Sequence, residues 1–328
     1  MEKDLQAKYQ SDKEVWNDCA ATYEEQIVTG HPDVVAYEKF EEHFLDNLIQ
    51  HVIKKSGKPV KLIDVGCGSG RLHLRYGKYV KIPSLEIIKG IDFSNKMLEI
   101  ARSKLKQEGI SDLFYPALKF EQGSAFNLVP ESNAYLPVAV NLINSIGVMQ
   151  GEEGAKKLFQ AMRRCVEEAG GISVISCYQR CYIRNYALPQ YESTMNVCGQ
   201  PVWLKPDKYA SEKYQLKPKY YKRANSKELS IEVEVYENDR LIKPEYLLYR
   251  DKDITEQTIK SGKIKTHTNY ESNWYSFLQI EEWIKNYWDG LPFYHIKTSN
   301  IDPKNAEAGQ LAILDIDNNL KGFESILA

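Results

Sequence analysis

Long apolar runs are missing from these 328 residues. None approaches the roughly 18 residues that a membrane-spanning helix requires. The first fifteen residues, MEKDLQAKYQSDKEV, carry charge throughout and lack the apolar centre of a secretory signal. A surplus of either charge is absent too: the formal net charge is −2, so neither a general nucleic-acid surface nor a membrane surface is expected. Cysteine is sparse, at positions 19, 67, 165, 177, 181 and 198. Cys177 and Cys181 form C-x₃-C with no second pair, and the six histidines contain no H-x-x-x-H. A structural metal is therefore not expected, and reduced thiols of a cytoplasmic chain account for the cysteines. Internal repeats and low-complexity segments are lacking as well.

What is present alternates. Residues 33–55 place Val35, Phe40, Phe44, Leu45, Leu48 and Ile49 at helical spacing, with Lys54 and Lys55 at the C-terminus. Short apolar runs predict strands at 61–65, 85–91, 117–121, 138–143 and 172–177, with helices at 95–106 and 152–168. A further helix is expected at 277–288, then strands at 293–298 and 310–316. This alternation predicts an α/β fold, a Rossmann-like, doubly wound sheet of seven strands with ligands at the carboxyl ends of the strands. After Cys177 the texture changes. Residues 178–275 hold 13 of the 22 tyrosines, with β-type runs at 229–236, 246–249 and 264–270. The expectation is an antiparallel β lid inserted after strand five. Three parts follow: an N-terminal helical cap over a bound cofactor at 1–56, a core at 57–177 and 276–328, and a substrate lid at 178–275. The segment 205–223, which mixes lysine, tyrosine and acids, reads as a solvated lid loop rather than a nucleic-acid surface.

The stretch KLIDVGCGSGR, residues 61–71, is a strand running into Gly66, Gly68 and Gly70 before a helix signal. Such a loop lets a ligand approach bare backbone. A dinucleotide fingerprint wants a sixth-position glycine, and Arg71 stands there instead. This favours an adenosine-bearing ligand without phosphates. In GIDFSNKML, Asp92 ends the second strand, where a carboxylate can accept both ribose hydroxyl protons. Phe93 and Met97 can flank a purine. Cys67 reads as small buried filler.

As a set, these motifs resemble the S-adenosyl-L-methionine site of class I methyltransferases. The resemblance implies that Gly66, Cys67 and Gly68 line the methionine part by backbone, that Asp64 holds the motif's acid position, and that Asp92 binds ribose. In EQGSAF, Ser124, followed by Ala125, falls where the family usually has an acid beside adenine. Pro137 stands where the family often has an acid at the start of strand four. INSIGVMQG, residues 143–151, is similar to a segment of the glycine and sarcosine N-methyltransferases, which implies that Asn144 lies between sulfonium and acceptor. WNDCAATYEEQI matches an N-terminal segment of that group through Tyr23. Just after strand five those enzymes have an arginine. Tyr178 falls nearest that place here and Arg180 follows two residues on, so glycine itself is not the expected acceptor.

Methyl transfer moves positive charge toward the acceptor, and aromatic faces stabilise it by about 0.5–2 kcal/mol each. Tyr178, Tyr182, Tyr246 and Tyr270 are the candidates for that task. A neutral amine needs no base, whereas a hydroxyl or acidic carbon would, with His267 and His295 as candidates. The expected activity is methyl transfer from S-adenosyl-L-methionine to a small-molecule acceptor, an amine nitrogen first. O- or C-methylation of a small natural-product intermediate, or cofactor binding without turnover, are the alternatives. The expected partner is the small-molecule substrate, with neither nucleic acid nor membrane, and the sequence leaves open whether the chain forms a homo-oligomer.

Overall fold

The computed structural model describes Lys13, Trp16, Asn17, Ala20, residues 32–110 and 116–178, and the strand backbones 214–225, 228–237, 240–250 and 271–273. Toward the C-terminus it describes Tyr275 and residues 277–304, 306 and 309–323.

The chain divides into two compact units, 1–177 with 280–328, and 178–279. In the first, helix α1 (Pro32–Ser56) opens on proline, whose missing N–H costs nothing at a helix start, and closes on Lys54 and Lys55, which favour the negative helix end. Its apolar stripe, Phe40, Phe44, Leu45, Leu48, Ile49 and Val52, is buried. Strand β1 (Val60–Val65) follows, then a short helix α2 (Arg71–Leu74) that continues as a π turn, Arg75–Tyr79. Next come β2 (Leu85–Asp92), α3 (Asn95–Gln107), β3 (Ala117–Gln122), β4 (Leu136–Asn141), α4 (Gly151–Val166) and β5 (Ile172–Tyr178). After the second unit's strands, numbered β6 to β9 below, α5 (Phe277–Tyr287), β10 (Phe293–Lys297) and β11 (Gly309–Asp315) complete the sheet.

The seven strands lie in the order β10-β11-β5-β4-β1-β2-β3. The pairs β1–β2, β1–β4, β2–β3 and β4–β5 are parallel, and β10–β11 is antiparallel. This is the seven-stranded Rossmann-like sheet that the alternation predicts, but it is mixed: the alternation argues for parallel strands, and β10 runs antiparallel to β11. Strand β1 sits at the point where the order reverses: the chain leaves it toward β2 and β3, then crosses back to β4 on its other side. A crevice at the carboxyl ends follows from that topology. β4 and β11 are buried along their whole length, consistent with their continuous apolar runs.

Strand four starts and ends two residues before the expected 138–143. Pro137 is its second residue, where β4 already pairs with β1 but not yet with β5, so no donor is lost to the ladder there. Leu142 and Ile143, though apolar, leave the strand because Ile143 and Asn144 turn into left-handed backbone, at φ 49° and 53°.

The second unit carries a four-stranded sheet in the order β8-β7-β6-β9, from β6 (Tyr214–Asn225), β7 (Glu228–Glu237), β8 (Arg240–Arg250) and β9 (Glu271–Asn273), all neighbours antiparallel. The expected runs at 229–236 and 246–249 fall within β7 and β8, while 264–270 lies outside the described residues. The solvated loop expected over 205–223 is corrected in its second half, which is β6. Its ladder to β7 slips register between Pro218 and Tyr220, so the proline sits at an irregularity and does not break the strand.

Candidate active site

The cleft is built outward from the end of β1. Gly66, Gly68 and Gly70 all take positive φ, 78°, 50° and 82°, values that side-chain-bearing residues rarely adopt. The Gly66 and Cys67 N–H groups both donate to the Ile91 carbonyl, at 2.8 and 3.2 Å, which lashes the loop to β2. At Gly68 a Cβ would meet nothing, so this backbone faces open space. At Gly66 it would meet Met149 Cε at 3.1 Å and Ser145 Cβ at 3.4 Å, a close approach that any side chain would crowd. At Gly70 it would lie 2.9 Å from Ala101 Cβ, so this glycine lets α2 and α3 close together.

Asp92 completes the floor. Gly68 N–H donates to its Oδ2 at 2.9 Å and Ser94 N–H to its Oδ1 at 2.8 Å. A carboxylate has about four lone-pair sites, so acceptor capacity is left over. Burial raises the Asp92 pKa, and the Ser94, Gly68 and Phe93 N–H groups pull it back. Ser94 also caps α3, accepting from Met97 N–H at 3.2 Å, and its hydroxyl donates to Asn17 Oδ1 at 2.7 Å. That bond ties the N-terminal segment to the cleft's rim. Neighbouring Trp16 lines the cleft.

The cleft encloses about 720 Å³, its mouth included. Phe93, Met97, Phe126 and Ile91 supply apolar surface, Gly123, Ser124 and Ala125 one edge, and Ser145, Val148, Met149 and Gln150 the opposite wall. Among the described residues, Asp92 is the titratable group on that lining. Of the residues expected at the site, Gly66, Gly68, Asp92, Phe93, Met97, Ser124 and Ala125 therefore come together. Ser124 caps a 3₁₀ turn, its oxygen accepting from Phe126 N–H at 3.2 Å.

Other expected residues lie elsewhere. The Cys67 side chain turns toward the sheet, packing where a Cβ on Gly90 would meet its sulfur at 2.7 Å. Burial, then the charges of Asp64 and Asp92, push its thiol well above the ordinary range, as suits filler. Asp64 is buried behind the loop. Burial raises its pKa to about 7, Arg71 opposes that, and Asp92 and Glu41 add to it. Asn144 is buried at the turn that precedes Ser145 and is not on the cleft's lining. Tyr178 ends β5, half-buried. Tyr246 has its backbone in β8, opposite Glu232. Tyr23, Arg180, Tyr182, His267 and Tyr270 lie outside the described residues. His295 is on β10, its Nε2 3.0 Å from Gln310 Oε1, with its pKa lowered by burial. Of the candidate bases it is thus a histidine packed within the sheet and not on the cleft's lining.

Sequence reasoning did not single out Trp16, Ile91, Gly123, Phe126, Ser145, Val148, Met149 or Gln150. The last three reach the cleft through backbone that the sequence does not announce: a left-handed turn at Ile143–Asn144, a second left-handed residue at Gln150 with φ 58°, and the 3₁₀ turn Ser145–Val148 between them. For a β-branched residue such as Ile143, that backbone costs on the order of 1–3 kcal/mol and persists only where the surroundings enforce it.

Arg71, in place of the sixth-position glycine, is an anchor. It donates to Glu41 Oε2 at 2.9 Å, to the Glu38 carbonyl at 3.2 Å and to Glu42 Oε1 at 3.4 Å. It fixes the start of α2 on α1.

The model of a family described as a methyltransferase domain matches residues 56–235, more than half of the chain. The chain belongs to the methyltransferase domain family. No curated protein matches this methyltransferase by sequence. Among solved structures it is similar to the CcbJ methyltransferase from Streptomyces caelestis, at 14% identity and a TM-score of 0.50, over 92% of this chain and 98% of that one. It is also similar to an S-adenosylmethionine-dependent methyltransferase from Clostridium acetobutylicum ATCC 824, at 14% identity and a TM-score of 0.49, over the same shares. At such an identity the likeness to the CcbJ methyltransferase is one of fold. The methyltransferase is an enzyme, and its cofactor is S-adenosylmethionine. The cleft fits that compound: a glycine cradle that a Cβ would fill, an acid with acceptor capacity to spare, and aromatic and thioether walls.

Proposed function

We propose that this methyltransferase transfers the methyl group to a small-molecule acceptor, at an amine nitrogen. The observation that carries the reading is the Gly68 N–H bond to Asp92 at 2.9 Å, which joins the glycine loop to the strand-end acid on the cleft's floor. In this reading Asp92 accepts from the ribose hydroxyls, Phe93 and Met97 flank the purine, Ser124 and Ala125 meet its edge, and the Gly66 and Gly68 backbones face the methionine part, with Asp64 and Cys67 behind them. The bound cofactor supplies a methyl group activated by a sulfonium charge. The chain orients the acceptor and excludes water, and these two effects carry most of the rate for a neutral amine.

Asn144 holds the acceptor in this proposal. The inserted unit, 178–275, serves as its lid, with Tyr178, Arg180, Tyr246 and Tyr270 toward the acceptor and Tyr23 over the cofactor. The support is the similarity of residues 143–151 to the glycine and sarcosine N-methyltransferases, the tyrosine content of 178–275, and a lining whose titratable group is an acid already engaged by two N–H donors.

The test has two steps. Titration calorimetry with S-adenosylmethionine and S-adenosylhomocysteine measures binding. Radiolabelled S-adenosylmethionine is then offered with panels of amines, phenols and carboxylic acids. Label on amines is the expected result, and label confined to phenols or acids overturns the nitrogen assignment.

A further inference from the structure

The turn after β4 is held from a distance. Glu41 lies mid-way along α1, 1% exposed, yet both of its carboxylate oxygens accept from other elements. Its Oε1 accepts from Ile143 N–H at 2.8 Å, and its Oε2 accepts from Arg71 Nη2 at 2.9 Å. One donor belongs to the first left-handed residue of the turn. The other belongs to the residue that opens α2 directly after Gly70. Ser145, Val148, Met149 and Gln150, which form the wall facing the glycine loop, all follow that turn. Strained backbone keeps its conformation only where its surroundings over-determine it. A buried carboxylate that accepts from the strained N–H is such a determinant, because losing it leaves that donor with no equivalent partner.

We propose that Glu41 is a positioning residue for the methyl-transfer site: it clamps the Ile143–Asn144 turn to the start of the glycine-loop helix and so sets the spacing between the cleft's two walls. The proposal rests on the reading that this cleft holds the cofactor. It differs from a general stabilising role because it assigns Glu41 a specific load, the left-handed Ile143 backbone.

The test uses the full chain with Glu41→Gln, Glu41→Ala, Ile143→Gly and the double variant Glu41→Ala/Ile143→Gly. Two measurements are made on each: amide hydrogen exchange over residues 142–147 relative to β1 and β2, and the Kd for S-adenosylhomocysteine. Glu41→Ala is expected to speed exchange in the turn at least tenfold beyond any change in β1 and β2, and to weaken binding about tenfold. Glu41→Gln keeps an acceptor for Ile143 N–H and is expected to restore the turn's protection to within about threefold of the native chain. Glycine adopts the left-handed conformation without strain. The loss from Glu41→Ala should therefore shrink at least threefold in the Ile143→Gly background, a non-additivity that contact through the turn requires.

Uniform destabilisation across the sheet, or additive effects of the two substitutions, overturns the proposal. Should Glu41→Ala fail to fold, Glu41→Asp, whose shorter side chain draws the carboxylate back from Ile143, takes its place alone and in the Ile143→Gly background, and unchanged exchange with unchanged Kd then overturns the proposal. A native chain that does not bind S-adenosylhomocysteine sinks the cofactor reading instead, while exchange at the turn still decides whether Glu41 holds it.

Discussion

Asp92 carries two charge-assisted backbone bonds before any ligand arrives, so its carboxylate is oriented in advance. Removing it deletes an acceptor for the ligand and also frees Gly68 from the strand end. Asp92→Ala is expected to weaken S-adenosylhomocysteine binding by roughly 1.5–3 kcal/mol, the range for a hydrogen bond to a charged group. Calorimetry checks this, and a loss under about threefold would mean that the acid only holds the Gly68 and Ser94 backbone in place. Asn144 makes the contrasting case. It is buried in the turn and does not line the cleft, so Asn144→Ala is expected to lower turnover more than cofactor affinity, once an acceptor is in hand. Equal losses in single-turnover rate and in Kd would place it with the cofactor instead.

Among the elements, β2 deserves the next test because the glycine loop lies directly on it. Gly90 has no side chain where a Cβ would stand 2.6 Å from His73 Cε1 and 2.7 Å from Cys67 Sγ. His73 is fully buried there, its ring stacked on Phe120 at 4.1 Å, and burial lowers its pKa to about 4, so it fills space as neutral imidazole. Gly90→Ala must displace one of these neighbours. It is expected to cost about 1–3 kcal/mol in thermal or urea unfolding and to weaken the cofactor through Cys67 and the loop. Unaltered stability would show that the strand has slack the structure does not suggest.

The same region explains what a reader of the sequence could reach. The seven strands were legible because their apolar runs are short, bounded by turn residues and spaced by helical periods, all local signals. Asp92 and the glycines were legible because spacing along the chain fixes both. Glu41 was not, since its partner Ile143 is 102 residues away and α1 presents it among Glu38, Glu41 and Glu42 with nothing to single it out. The end of β4 was misplaced for a related reason: Leu142 and Ile143 look like strand, and only tertiary contacts put Ile143 in a left-handed turn. β6 was hidden by lysines and a proline that an antiparallel strand with an irregular ladder accommodates.

For the folded molecule as a whole, the buried acids around Arg71 set a pH dependence that can be worked out in sign. Burial raises Asp64 and Glu38 each to about 7, and Glu41 is also raised, with Arg71 opposing the shift in all three. Unfolded carboxyls of this kind titrate near 4. Between about pH 4 and 7 the native chain therefore holds more protons on these groups than the unfolded chain does. Their contribution to stability is complete below the unfolded pKa and is lost as pH rises through the native one. Glu167 and Glu281 are shifted the other way by Arg163 and Lys285, but that window lies below their ordinary range and does not touch neutral pH. His73, lowered to about 4 by burial, and His295, also lowered, oppose this trend below the ordinary histidine range near 6.5, so the melting temperature is expected to fall between about pH 6.5 and pH 8. Asp64→Asn removes a group that must ionise in a buried site, and it should raise the melting temperature at pH 8 by several degrees, at roughly 2–4 °C per kcal/mol for a unit of this size, with a clearly smaller rise at pH 5. Calorimetric scans of both chains across that range decide it: parallel curves would mean that Asp64 keeps an ordinary carboxyl pKa and that the charges near Arg71 balance.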